Sequence, residues 1–219
     1  MRIVIPLFDG FTALDAVGPY EVLCRLPGAE IVWAGLEAGP VTAEPGALTL
    51  VAKVATSEID ACDVLVVPGG PRSRVAAKAG LADWVRRVHP STQWTTSVCT
   101  GADILGMAGV LQGLEATTHW SATERLAEYG ATYTEERVVV QGKVVTAAGV
   151  SAGIDMGLTL AAEIAGEDVA KSIQLAIEYD PQPPFDAGSP RKAPADVVEL
   201  LRARSRYEAQ EPQALATPW

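Results

Sequence analysis

Residues 95–109 read TTSVCTGADILGMAG. The first four are polar or β-branched and suit a strand, whereas Thr100–Gly101 opens an apolar run at helical spacing. This change of period predicts a sharp strand-to-helix turn with Cys99 on it, strand over 92–98 and helix over 100–111. A lone cysteine is ordinarily a small core hydrophobe. At the N-terminus of a helix, however, unpaired N–H groups and the positive dipole end favour the thiolate. Both readings of Cys99 stay open at this point. Its position resembles the nucleophile elbow of hydrolases, although SVCTG is not the G-x-S-x-G pattern.

Outward from this turn, strand and helix patterns alternate. RIVIPLF (2–8) and DVLVVPGG (63–70) are continuous apolar runs of the kind buried on both faces, and EIVWAG (30–35) is a further strand. ALDAVGPYEVLCRL (13–26) has helical spacing, with Gly18–Pro19 expected to distort or restart it because proline donates no backbone hydrogen bond. Residues 36–56 read as a loop or hairpin, and 81–89 as a helix. Strands are expected at 115–120 and within 137–149, and helices over 153–166, on through Tyr179 and over 194–207. Residues 180–190 are proline-rich and irregular. Such alternation implies a single-domain α/β sandwich, a mostly parallel central sheet with helices on both faces. One domain is expected over residues 1–207, followed by a tail at 208–219.

Composition narrows the function. The 219 residues carry a formal net charge of −10, which repels phosphate backbones and argues against nucleic-acid binding. No apolar run has the length of a bilayer span, so no membrane partner is expected. Three cysteines and two histidines form neither a disulfide framework nor a zinc ligand set, which points to a cytoplasmic protein without a metal.

In open α/β sheets, ligands bind beyond the carboxyl ends of the strands. Three segments bring chemistry there: Phe8–Asp9–Gly10 leading to Asp15, the Gly69–Gly70 pair, and Cys99. Asp15 reads either as a helix-start residue or as an acid that shares a proton with Cys99. The Gly70 and Thr100 amides are expected to converge as an anion pocket. His119, in ATTHW, is expected to end a strand within reach of the cleft, as a structural or a catalytic group. His89 is expected on a solvated helix end, and Cys24 and Cys62 in packing roles.

FDGFTALDAVGPYEVL, DVLVVPGG, SVCTGADILGMAGVLQGLEATTHW, GVSAGIDMGLTLAAE and QLAIEYDPQPPFDAGSP together resemble the ThiJ/PfpI superfamily, a branch of the class I glutamine-amidotransferase-like fold, and within it the members that hydrate isocyanides. The likeness runs from residue 1 to about 200. It implies Cys99 as nucleophile, Asp15 as general acid/base and Thr100 as a hydrogen-bonding neighbour, in a homodimer without cofactor acting on a small-molecule isocyanide. Ile154 and Met156 are expected to line a tight apolar cleft. Protease-like relatives carry His where Thr100 stands, and relatives linked to oxidative stress and glyoxal chemistry usually carry Glu in place of Asp15. The opening also resembles the amino-terminal domain of some AraC-type regulators, which makes a ligand sensor the alternative to an enzyme. A redox-sensing role for Cys99 is a third reading.

Overall fold

The computed structural model describes residues 1–204. β1 (Arg2–Leu7) leads into α1 (Ala13–Leu23) and β2 (Glu30–Gly35). A hairpin of β3 (Gly39–Thr42) and β4 (Thr49–Ala52) precedes the short β5 (Val54–Ala55). β6 (Val64–Val67), α2 (Ser73–Ala76), α3 (Ala82–Val88), β7 (Trp94–Val98) and α4 (Gly101–Met107) form the middle of the chain. Then come β8 (Glu115–Ala116), α5 (Arg125–Glu128), β9 (Thr132–Tyr133), β10 (Val138–Gln141) and β11 (Val144–Ala147). α6 (Ala152–Ala165), α7 (Glu167–Ala176) and α8 (Ala195–Ala203) complete the described residues. The expected helix end at Tyr207 and the tail from residue 208 lie outside them.

Seven strands form one sheet in the order β10-β11-β7-β6-β1-β2-β5, parallel throughout except for the β10 edge. The chain leaves β1 toward β2 on one side and returns to β6 on the other, so strand order reverses between β1 and β6. That reversal opens a crevice at the carboxyl ends of the two strands. β6 is buried along its whole length and β1 along all but its first residue, as continuous apolar runs require in a sheet covered on both faces. α1 packs on α6 and α6 on α7, while α2, α3 and α4 pack among themselves.

Several expectations are corrected. α1 runs through Gly18–Pro19 without restarting. It crosses α6 closely there: side chains added at Gly153 or Gly157 would press on Pro19 or Val22, and one at Gly18 on Ile154. That contact outweighs one missing intrahelical bond. The strand expected at 115–120 stops at Ala116 and pairs with β9 in a separate two-stranded sheet. The helix expected over 153–166 does end at Gly166, at φ 89°, and the helical segment expected beyond it is α7, which stops at Ala176. His89 is half-buried rather than solvated, its Nδ1 2.8 Å from Thr95 Oγ1.

Candidate active site

Cys99 occupies the turn between β7 and α4 at φ 57°, a left-handed conformation that costs a non-glycine residue about 1–2 kcal/mol. Its N–H is held by the carbonyls of Ala147 (3.1 Å) and Ala148 (2.9 Å), and its own carbonyl accepts the Thr118 hydroxyl (2.8 Å). The turn is therefore fixed from β11 on one side and from the segment after β8 on the other. Two residues beyond Ala148, Val150 has φ 32°, unusual for a β-branched side chain.

Asp15 reaches the same place from α1. Thr12 precedes the helix and Asp15 stands three residues on, a spacing at which both side chains can bond the helix's first N–H groups. Neither does so here. The Thr12 hydroxyl donates to Glu44, and the Gly69 N–H donates to Asp15 Oδ2 at 2.9 Å, bridging the β1/β6 crevice. Asp15 Oδ1 is buried without a hydrogen-bond partner of ordinary geometry among the described residues, and the carboxyl faces the Cys99 thiol. Burial pushes the Asp15 pKa up to about 7, against the lowering effect of the Gly69 N–H and of the Cys99 hydrogen bond; the Glu44 charge raises it further. Asp15 does stand in the first turn of α1, as a helix-start residue would, but its carboxyl is bonded to the Gly69 N–H rather than to an amide of that helix.

Thr100 precedes α4, yet its side chain does not cap that helix either. Its hydroxyl accepts the Gly70 N–H (2.9 Å), donates to the Gly70 carbonyl (3.0 Å) and lies 3.0 Å from Ser73 Oγ. The expected pocket of two converging amides is not formed, because the Gly70 N–H is bonded to Thr100 Oγ1 and Gly69 serves Asp15. Close approach explains the glycines: a side chain at Gly69 would strike the Thr100 and Gly101 nitrogens, and one at Gly70 the Gly10 carbonyl.

His119 lies in a turn rather than at a strand end, half-buried, with Nδ1 2.9 Å from Ser121 Oγ and its ring over Gly149. Ile154 packs on Gly18 of α1, whereas Met156 is fully buried in the core. Two positions apart on a helix they point about 200° from one another, so they do not line one wall together. Cys99, Asp15 and Thr100 each have 0% exposure. Two surface clefts, of about 570 and 540 Å³, lie elsewhere, one between Arg25 and α7 and the other beside Phe8, Leu36 and Arg72; neither is lined by Cys99 or Asp15. Among the described residues no group of three or more His, Cys, Asp and Glu side chains is placed to hold a metal ion, and no helix is long and apolar enough to cross a membrane.

This arrangement, a strained cysteine after β7 facing an acid from α1 across a Gly-Gly loop, can be compared with known proteins. Residues 1–163 match the DJ-1/PfpI family. The chain belongs to that family. Among its DJ-1/PfpI relatives, the isonitrile hydratase of Pseudomonas putida is 41% identical over 94% of this chain and 90% of its own length. A ThiJ/PfpI family protein from Pseudomonas syringae, known by its crystal structure, superposes with a TM-score of 0.88 at 37% identity over 95% of this chain and 90% of that one. The HTH-type transcriptional regulator CdhR of Pseudomonas aeruginosa is 29% identical over 94% of this chain but only 59% of its own length.

Four residues of the site have no counterpart in the sequence reading: Thr12, Glu44, Ser73 and Thr118. Thr12 carried a signal, since T-x-x-D before an apolar helix is a recognisable capping pattern. Glu44 sits beside Pro45–Gly46 in what reads as an ordinary turn.

Proposed function

We propose that this protein hydrates an isocyanide, R–N≡C, to the N-substituted formamide, with Cys99 as nucleophile and Asp15 as general acid and base. The observation that carries the reading is the buried Asp15–Cys99 pair, in which the carboxyl titrates near neutrality. Two acids in contact in a dry site do not both ionise readily, so they share one proton. With that proton on Asp15, the thiolate is the nucleophile and the carboxylic acid is the proton donor. The 41% identity to an isonitrile hydratase supports the same chemistry.

The steps balance. The Cys99 thiolate attacks the terminal carbon and Asp15 delivers its proton to that carbon, leaving a thioimidate, R–N=CH–S–Cys. The Asp15 carboxylate takes a proton from water as the oxygen adds to the same carbon, and passes it to nitrogen. Collapse then breaks the C–S bond; the hydroxyl proton returns to Asp15 and the formamide departs with Cys99 again a thiolate. Thr100, locked to both polar groups of Gly70, holds the loop whose Gly69 N–H orients Asp15. The absence of exposed surface on Cys99 suits a slender, rod-like electrophile and requires local opening for entry.

The finer reading includes a cytoplasmic homodimer without cofactor. Three free cysteines support the first. An α8 with no buried residue, displaying Val197, Leu200 and Leu201, supports a second copy covering it.

The test is to incubate the pure protein with a simple alkyl isocyanide and follow formamide absorbance, with Cys99→Ala as control. Cysteine-dependent formation of formamide is expected. Saturable isocyanide binding without product would instead favour a ligand sensor, the reading that the likeness to CdhR keeps in view. Stoichiometric oxidation of Cys99 by peroxide without turnover would favour a redox sensor.

A further inference from the structure

The cleft of about 540 Å³ lies where an open α/β sheet places its ligands. Leu7 and Phe8 line it at the carboxyl end of β1, Leu36 just after β2, and Val75 from α2. Its volume is in the range of small-molecule sites. Neither Cys99 nor Asp15 borders it.

Arg72 is the one cation among its lining residues. The Arg72 stem crosses Gly10, where an added side chain would come within 2.8 Å of Cδ and 3.0 Å of Cγ. Gly10 also has φ 81°, so the backbone there both needs a glycine and leaves space for the stem. The charged end is treated otherwise. Among the described residues Arg72 forms no ion pair, and its Nε is buried without a hydrogen-bond partner. Arg74, two residues on, pairs with Glu128. Burying a charged donor without an acceptor is costly, and the acids that share the cleft do not supply one. Asp9 Oδ1 accepts the Thr42 N–H, and Glu37 is exposed.

The lining selects a ligand chemistry. A guanidinium presents a planar fork of donors that matches a carboxylate. Val75 is 40% exposed and Leu36 half-buried, so apolar surface adjoins that fork. Asp9 and Glu37 set two negative charges against one positive, which disfavours a dianion such as phosphate.

We propose that this cleft binds a short apolar monocarboxylate, its carboxylate held by the Arg72 guanidinium and its hydrocarbon chain laid on Leu36 and Val75. The inference does not depend on the isocyanide reaction.

The probe is sodium 4-methylpentanoate, titrated into ¹⁵N-labelled full-length protein and followed by ¹H–¹⁵N NMR, with sodium chloride at the same ionic strength as the blank. Saturable shifts are expected in the Arg72 Nε–H signal, assigned by its loss in Arg72→Gln, and in the amides around Leu36 and Val75. The neutral 4-methylpentanamide is expected to bind at least about tenfold more weakly, as is 4-methylpentanoate to Arg72→Gln. Val75→Glu, at an exposed position, sets a like charge beside the chain and is expected to weaken binding without touching the fork. Equal affinity for the acid and its amide overturns the proposal, as do shifts that never saturate. Binding that survives Arg72→Gln also overturns it. If that variant does not fold, undiminished binding to Val75→Glu has the same force. Inorganic phosphate saturating the same signals at lower concentration would overturn the choice of a monocarboxylate.

Discussion

The parallel sheet buries a thiol at each end, and the two ends treat it differently. At the amino end of β6, Cys62 is 5% exposed beside Asp63, and burial pushes its pKa up to about 12, with Asp63 raising and Arg2 lowering it. The polar groups around it are absorbed in structure: Arg2 N–H and Gln93 Nε2 donate to Asp63, and Ser91 Oγ accepts the Cys62 N–H. At the carboxyl end of β7, Cys99 is as deeply buried, but its backbone is held in a left-handed turn and a carboxyl of near-neutral pKa stands against it. Burial alone therefore makes an inert thiol. In the proposed reaction, burial together with a second acid that can keep the proton makes a reactive one.

That contrast can be broken at its strongest point by exchanging the thiols. Cys99→Ala is expected to reduce isocyanide turnover by at least about 10⁴-fold, since Cys99 is the proposed nucleophile. Cys62→Ala is expected to leave kcat within a factor of two and to lower stability by about 1 kcal/mol in denaturant unfolding. Equal losses would erase the distinction between the two ends.

Next in size is the acid. Asp15→Asn is expected to lose turnover nearly as completely as Cys99→Ala, because in the proposed reaction both proton transfers to substrate pass through this carboxyl. Its stability effect has the opposite sign at alkaline pH. The native Asp15 pKa, about 7, lies above the ordinary value of 3.8, so the folded protein binds the extra proton between them. Native stability then declines as pH rises from about 4 to about 7 and flattens beyond, by up to ~4 kcal/mol. Asp15→Asn should remove that slope, as measured by denaturant midpoints from pH 5 to pH 8. Turnover by the native enzyme should fall above about pH 7 as the shared proton leaves, a limb that stopped-flow pH profiles would show.

The smallest effect is expected at the loop. Thr100→Val removes an acceptor for the Gly70 N–H and a donor to its carbonyl, leaving the buried N–H unsatisfied while the carbonyl keeps the N–H and hydroxyl of Ser73. A loss of ~2 kcal/mol in stability and of ~10-fold in kcat is expected, with the alkaline limb of the pH profile unmoved. A shift in that limb would show that Thr100 takes part in the proton chemistry itself rather than holding the loop.

Much of this was legible in the chain. The change from strand to helix period at Val98–Cys99 located the turn, and apolar runs such as DVLVV identified strands buried on both faces. What misled were residues whose chemistry suits two uses. Pro19 should interrupt a helix, but three glycines at the α1–α6 crossing create a contact that tolerates it. Gly70 should offer an amide to a ligand, but Thr100, in the turn between β7 and α4, takes it. Ile154 and Met156 looked equivalent until helix geometry placed them on different sides.

By itself, the sequence determined the alternation of elements and the mostly parallel sheet, because these depend on local period; the residues left two readings each for Cys99 and Asp15, and only the family resemblance implied a nucleophile and an acid there. Tertiary structure decided which partner each polar side chain takes. Thr12, Asp15 and Thr100 all carry the composition of helix starts, yet none caps its helix, because strand order reverses between β1 and β6 and brings stronger partners from other segments. Glu44 became part of the site for the same reason: a hairpin far along the chain folds back on the residues that begin α1.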